Sequence, residues 1–357
     1  MDIVAATASY ETWLGKKVPL YKPDLKLKHE TMAESAFGFL RATYYRWVQK
    51  FGEVCADAAD APKTACVGDL HLENFGTWRD GEARLVWGVN DFDEVATLPY
   101  TNDLVRLAAS ALIAIDSGQL AVGAKRACKD ILKGYSETIA AREARPFVLE
   151  EDNRALRDLA MSDRGRPSKY WQKMLAGHVV EPPADAKALL LRHLPKGGPE
   201  VSFRRRTAGA GSLGLPRFVA LRLADRAYVA REAKKRAPSA LSWAGLGRDD
   251  PAIHGDFLAR AIRPHDPFLC VEPHWVVRRL APHCERIELE AISDGKAQRE
   301  VLHAMGVETA NLHRSTRGAT ARIRAHLDKL DDEWLLDNAR RMADAVHKDW
   351  KVWTKRR

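Results

Sequence analysis

The chain has 357 residues, 46% hydrophobic and 29% charged, and 57 basic against 48 acidic side chains give a formal charge of +9. This balance supports a sizeable core and room for two lobes, and it excludes a disordered or low-complexity polymer. No apolar run is long enough to span a bilayer, and the five scattered cysteines, without a C-x-x-C pair, point to reduced thiols in a cytoplasmic protein.

The N-terminal stretch "MDIVAATASYETWLGKK" lacks the pattern of a signal peptide. Residues 30–50 show helical spacing, with Phe37, Leu40, Tyr44 and Trp47 on one face. "VGDLHLENFG" (67–76) then sets an Asp, a His, a Glu and an Asn between apolar anchors and two glycines. "LVWGVNDF" (85–92) is expected as a strand running into a polar turn. Residues 102–120 and 122–145 are expected as helices, the first capped by Asn102 and Asp103. The segment 146–200 is turn-rich and is expected as a connector carrying one or two helices. From residue 200 the pattern alternates like strands in "VSFRRRT", "PRFVALRLA", "RAYVARE" and "HWVVRRLAP". The end, 296–353, is expected to be helical.

The polar motifs carry the chemistry. Phosphoryl transfer needs one carboxylate to orient the attacking hydroxyl, and an Asn and an Asp to hold metal ions that neutralise the phosphates. Protein kinases place these groups as D-x-x-x-x-N, a strand pair, then D-F-G. Here Asp69 and Asn74 stand five apart, and "NDFDE" (90–94) follows after a hairpin, offering Asp91 and Asp93. A competing match, "HGDF" at 254–257, fails because Ala261 stands where the Asn belongs.

"GDLHLEN", "NDFDE" and Asp103-Leu104 together resemble the aminoglycoside phosphotransferase and choline kinase branch of the kinase-like superfamily. The resemblance implies Asp69 as the catalytic carboxylate, Asn74 and Asp91 as Mg²⁺ ligands, His71 as a support of the loop and Asp103 as a brace from the next helix. Val67 departs from the histidine of that branch. "RTAGAGSLG" (206–214) offers Gly209, Gly211, Ser212 and Gly214 as a strand–loop–strand glycine turn over phosphates. In "YVAREAKK", Arg231 stands in the slot of the kinase lysine, with Lys234 or Lys235 as substitutes. Between 236 and 273 the only Glu is Glu272, so no αC glutamate is evident.

The glycine turn follows the catalytic loop, whereas in kinases it precedes it. The chain therefore looks like a circular permutation, with helix 298–314 resembling the one that leads into the catalytic loop. The whole set of "GDLHLENFG", "NDFDE", "DLVRLAAS", "GAGSLG" and "REA" resembles the bacterial family known as domain of unknown function 2252, over about residues 30–315.

The expected fold is α+β and two-lobed. A helical lobe with the catalytic and metal-binding loops spans 1–145, a connector 146–200, a small antiparallel nucleotide lobe 201–290, and returning C-terminal helices 291–357. The expected activity is an ATP- and Mg²⁺-dependent phosphotransferase acting on a hydroxyl of a small molecule. Alternatives are a nucleotide-binding pseudokinase or regulator, and an AMP-transferring relative. A metal-dependent hydrolase built on His71, Glu73, Asp91, Asp93 and Glu94 lacks H-E-x-x-H and P-C-x-x-C patterns. Nucleic acid is not expected as a partner, because solvated faces explain "RRRT", "KKR" and "KVWTKRR". His303 and His313 are expected at the surface or at a cap, and the ten tryptophans in the core.

Overall fold

The structure, a computed structural model, describes residues 1–150, 153–161, 167–247, 250–282, 284, 286 and 294–356. The boundary expected near residue 290 lies outside them. In chain order the first elements are helices α1 (Ile3–Gly15), α2 (Lys22–Glu34), α3 (Ala36–Ala42), α4 (Tyr44–Val54) and α5 (Ala56–Ala59). Next come β1 (Lys63–Cys66), a 3-10 turn at Leu72–Asn74, β2 (Phe75–Arg79), β3 (Leu85–Val89), β4 (Ala96–Pro99), α6 (Tyr100–Asp116), α7 (Ala124–Ala140) and β5 (Phe147–Val148). Then follow α8 (Arg154–Ala160), α9 (Pro167–Leu175), α10 (Ala184–His193), β6 (Ser202–Arg205), β7 (Arg217–Ala224) and β8 (Ala227–Lys235). The last are α11 (Ala240–Trp243), α12 (Pro251–Arg260), β9 (Cys270–Val271), β10 (Trp275–Leu280), α13 (Gly295–His313), α14 (Ala319–Leu327) and α15 (Trp334–Thr354). The class is α+β, as the sequence indicates.

Two local departures have physical causes. The helix expected over 30–50 is split at Ser35 and Thr43. The Ser35 hydroxyl accepts the Gly38 N–H at 3.0 Å and so starts a new helix, and Thr43 Oγ1 donates back to the Phe39 carbonyl at 2.7 Å. Asn102 and Asp103 do not cap α6. That helix begins earlier, with Pro99 at its N-cap, and both side chains turn instead to the loop after β1.

One apolar core joins the N-terminal helices and α6 and α7 to α13–α15. Helix α6 is its axis, buried continuously from Tyr100 to Ala114. Helix α13 lies against α7 backbone to backbone: a Cβ on Gly306 would sit 2.0 Å from the Ile131 carbonyl oxygen.

The second layer is an antiparallel sheet in the order β6-β7-β8-β10-β9. Its side chains alternate between faces, as strand geometry requires. Phe203, Phe218, Ala220, Ala233 and Trp275 pack on α10, while Val219, Leu221, Ala230 and Leu280 face Tyr170, Trp171 and Met174 of α9. Thus α10, within the expected connector, belongs to the sheet layer. Conversely α12, within the expected β-rich segment, sends Phe257 into the helical core. "HGDF" lies inside α12 and forms no loop.

Candidate functional site

A cleft of about 860 Å³ lies between the helical body and the sheet. Its walls bring together Asp69, His71, Asn74, Asp91, Asp93 and the glycine turn 209–212, which are far apart in the chain.

The loop after β1 is held from below. The Asp103 carboxylate accepts the N–H groups of Val67 and Gly68 at 2.7 and 3.0 Å, and the Asn102 amide donates to the Gly68 carbonyl at 3.1 Å. His313 of α13 stands with Nε2 3.2 Å from Asp103 Oδ2, and its other ring nitrogen meets the Tyr135 hydroxyl at 2.8 Å. His313, expected at the surface or at a cap, is the last residue of α13 and is fully buried, with Asp103 and Tyr135 satisfying both ring nitrogens. Asp103, His313 and Cys66 are close enough to hold a metal ion, but Asp103 is already spent on the two backbone N–H groups.

The same loop presents Asp69 to the cleft. Arg106 of α6, almost fully buried, donates through Nε to Asp69 Oδ1 at 2.8 Å and makes a second, shorter contact through Nη2. Its guanidinium also lies over the Tyr44 and Trp47 rings, 5.0 and 4.9 Å from their centroids. Burial pushes the Asp69 carboxyl up to about 6, against the pull of Arg106. Asn74 is fixed by donating its amide to the Asp69 carbonyl, and its own carbonyl accepts from the Asn90 N–H at 3.0 Å. His71 is buried, and Nδ1 accepts from the Glu73 N–H at 3.2 Å. Burial, and then the Arg41 charge, hold His71 well below its ordinary value, so it is a neutral loop support.

The hairpin β2–β3 carries the chain to "NDFDE". Lys234 Nζ lies 3.1 Å from Asp91 Oδ1 and 2.5 Å from Asp93 Oδ2, so one cation is shared by both carboxylates. Against the upward push of burial, Lys234 holds Asp91 at about 2, whereas burial and the Asp91 charge push Asp93 up. Glu94 also lines the cleft but is engaged, accepting from Ser239 Oγ at 2.6 Å and the Ala240 N–H at 2.9 Å, and burial pushes it up to about 8.

Lys234 and Arg231 therefore separate. Residues 230, 232 and 234 share the cleft face of β8. Arg231 points to the α10 side, where its guanidinium lies 4.3 Å from the Phe268 ring centroid. Lys235, also on that side, sits over the Trp275 ring. The structure thus brings Lys234, but not Arg231, to the acidic pair, in line with strand alternation.

The glycine turn leans on the loop after β1. A Cβ on Gly211 would lie 3.1 Å from the Arg41 carbonyl oxygen and 3.6 Å from Asp69 Oδ2. Gly214 has φ +100° and packs on Leu25. Ser212 Oγ accepts from Arg217 at 2.8 Å. Helix α2 clasps this segment through Tyr21 N–H to the Gly214 carbonyl, Asp24 to Arg205, and Lys28 Nζ to the Gly211 carbonyl at 3.4 Å.

Several of these residues escape motif reasoning. Glu232, wholly buried, is met by Arg206, Arg217 and Arg278 at 2.5, 3.1 and 2.8 Å. Three guanidiniums on one carboxylate leave a net charge of about +2 in the cleft wall, suited to an anion. The only sequence signal was "RRRT" together with Glu232 and Arg278 on neighbouring strands. Glu73 pairs with Arg41 at 2.6 Å and with Arg286. It is therefore not poised to share a metal with Asp91, which weakens the hydrolase alternative.

Among the described residues, no helix is long and apolar enough to cross a membrane. No curated protein and no solved structure matches the chain. Residues 21–176, which contain Asp69, Asn74, Asp91, Asp93, Asp103 and Arg106 but not the glycine turn, match the model of a family described as an uncharacterized protein conserved in bacteria, DUF2252.

Proposed function

We propose that this chain is an ATP- and Mg²⁺-dependent phosphotransferase with a permuted kinase-like arrangement, acting in the cytoplasm on a hydroxyl of a small molecule. One observation carries this: a single cleft gathers Asp69, Asn74, Asp91 and Asp93 opposite a glycine turn and an arginine-rich wall. The donor set fits magnesium. Asp91 and Asp93 offer hard oxygen ligands that already converge on one cation, Lys234, and Asn74 lies in the same wall. Bound there, the metal would neutralise phosphate charge.

In this proposal Asp69 orients the acceptor hydroxyl and takes its proton. The acceptor oxygen forms its bond to the γ-phosphorus as the bond from that phosphorus to the ADP oxygen breaks. Arg106 keeps Asp69 in place, and the N–H groups of the glycine turn with Arg206 and Arg278 receive the phosphates. Lys234, with its ammonium at the acidic pair, is the cation best placed to follow the phosphates.

A second proposal, a nucleotide-binding regulator without turnover, is favoured by that same Lys234 contact, since the carboxylates are already paired. Thermal unfolding with ATP, with and without Mg²⁺, tests both, because a ligand bound to the folded state raises the midpoint by mass action. A Mg²⁺-dependent rise lost in Asp91→Asn supports nucleotide and metal at this site. The absence of any rise at millimolar ATP sinks both. Hydrolysis or transfer of the γ-phosphoryl separates the enzyme from the regulator.

A further inference from the structure

Lys28 of α2 is only 2% exposed, yet it lines the cleft. A buried ammonium has three donors to satisfy and a large desolvation cost to offset. Here its sole hydrogen bond among the described residues is a long one, 3.4 Å to the Gly211 carbonyl. Among the described residues no carboxylate stands within ion-pair distance, and partial compensation comes from the rings of Tyr10 and Tyr45, whose centroids lie 5.9 and 5.6 Å away. The buried Tyr44 hydroxyl on the same side of the cleft likewise has no hydrogen-bond partner among the described residues.

The position of Lys28 is as informative as its lack of partners. Gly211 separates it from Asp69: the ammonium touches the Gly211 carbonyl, and Asp69 Oδ2 lies 3.6 Å from the point where a Gly211 Cβ would be. The cation and the acceptor-orienting carboxylate thus flank one residue. A ligand with a hydroxyl at Asp69 and a negative group at Lys28 would need only a few bonds between them. The arginines around Glu232 stand on the sheet wall, and Arg217 among them reaches the glycine turn at Ser212.

We propose that the α1–α2–α4 corner of the cleft is the acceptor subsite, and that it takes a small hydroxylated anion, a carboxylate or a phosphate ester, whose negative group pairs with Lys28 while its hydroxyl meets Asp69. This rests on the phosphotransferase proposal for the role of Asp69, but the pairing with Lys28 is a binding statement that can be measured by itself. A hydrogen-bonded ion pair in a desolvated corner selects for the anion over a neutral polyol of the same size.

The test is isothermal titration of the full chain with glycerate, glycerol 3-phosphate and glycerol, each with and without a saturating non-hydrolysable ATP analogue and Mg²⁺. Wild type should bind at least one of the two anions more tightly than glycerol, by about tenfold or more. Lys28→Met should abolish that preference and Lys28→Arg should retain part of it. Lys26→Met, at an exposed position of the same helix, should keep the preference. Because Lys28→Met removes an unpaired buried charge, its thermal midpoint should equal or exceed that of wild type. A fall of many degrees would instead make Lys28 a structural latch on the glycine turn and overturn the proposal. Equal affinity for glycerol and the anions, no binding of any probe, or anion binding untouched by Lys28→Met would overturn it as well. Failure of the ATP analogue alone, with the Lys28-dependent preference intact, would remove the phosphotransferase proposal and leave an anion site.

Discussion

Arg106 Nε stands 2.8 Å from Asp69 Oδ1, and the arginine is 1% exposed in its side chain. The pair is therefore a fixed part of the wall and not a surface contact. Removing one partner of a buried ion pair leaves the other uncompensated, which costs far more than the pair contributes net. Arg106→Met should destabilise the fold by about 3 kcal/mol, read by urea denaturation. Asp69→Asn, which strands the buried Arg106 charge, should cost a comparable amount while eliminating transfer. A variant Arg106→Met as stable as wild type would refute the account of this pair.

The acidic pair yields a competition. Lys234 holds the place that a metal ion would share, at 3.1 Å from Asp91 and 2.5 Å from Asp93. Without nucleotide, Lys234→Met should bind Mg²⁺ or Mn²⁺ more tightly than wild type, by about tenfold, since a competing charge is gone. With nucleotide the same variant should lose affinity for ATP. Titration calorimetry reads both, and a variant with weaker metal binding in both states would contradict the shared site.

The glycine turn separates stability from activity. Gly214, at φ +100°, is strained by any side chain, so Gly214→Ala should cost about 1–3 kcal/mol. Gly211 has no such constraint, but a methyl there would crowd the Arg41 carbonyl and the space beside Asp69. Gly211→Ala should cost under about 1 kcal/mol in stability and at least about tenfold in kcat/KM, an amount expected for displacement at the reacting centre. Comparable losses in both variants, on both measures, would argue against a turn placed over the reacting groups.

A pH dependence follows from Glu308 of α13. It is 1% exposed, its Oε1 accepts from the Val89 N–H at 3.2 Å, and its Oε2 has no hydrogen-bond partner among the described residues. Burial pushes it from 4.5 up to about 7, against the pull of Arg263. The folded state thus binds a proton that the unfolded state has released between about pH 4.5 and 7, and stability falls as pH rises through that window. The loss is on the order of 3 kcal/mol and levels off above pH 7. Glu308→Gln, which resembles the protonated form, should remove this part of the slope and match or exceed wild type at pH 7.5. Chemical denaturation at pH 5 and 7.5 decides it, and an unchanged slope would show that Glu308 does not titrate there.

Much of the site was legible because its chemistry is carried by short local motifs. "GDLHLEN" and "NDFDE" place Asp69, Asn74, Asp91 and Asp93 by proximity in the chain, and the structure brings them to one cleft with Gly209–Ser212. The four expected strands appear as β6, β7, β8 and β10. What escaped detection depends on the third dimension. Arg231 and Lys234 differ by three residues, and only the strand's alternation assigns them to opposite faces. Arg106 and Lys28 sit in ordinary helical patterns, and nothing local reveals that one meets Asp69 and the other Gly211. Asn102 and Asp103 have the composition of a cap, yet the backbone groups they satisfy lie 34 and 35 residues away, at Gly68.

The brace beneath the loop also sets a timetable for synthesis. Asp103 and its partner His313 are 210 residues apart. At the usual pace of about 5–20 residues per second, the ribosome adds that stretch in roughly 10–40 s. Throughout that interval the nascent chain holds every group of the loop after β1 and of the hairpin, but not the histidine that supports Asp103. A ribosome stalled ahead of codon 313 would therefore release a fragment with its motifs intact and the loop unsupported.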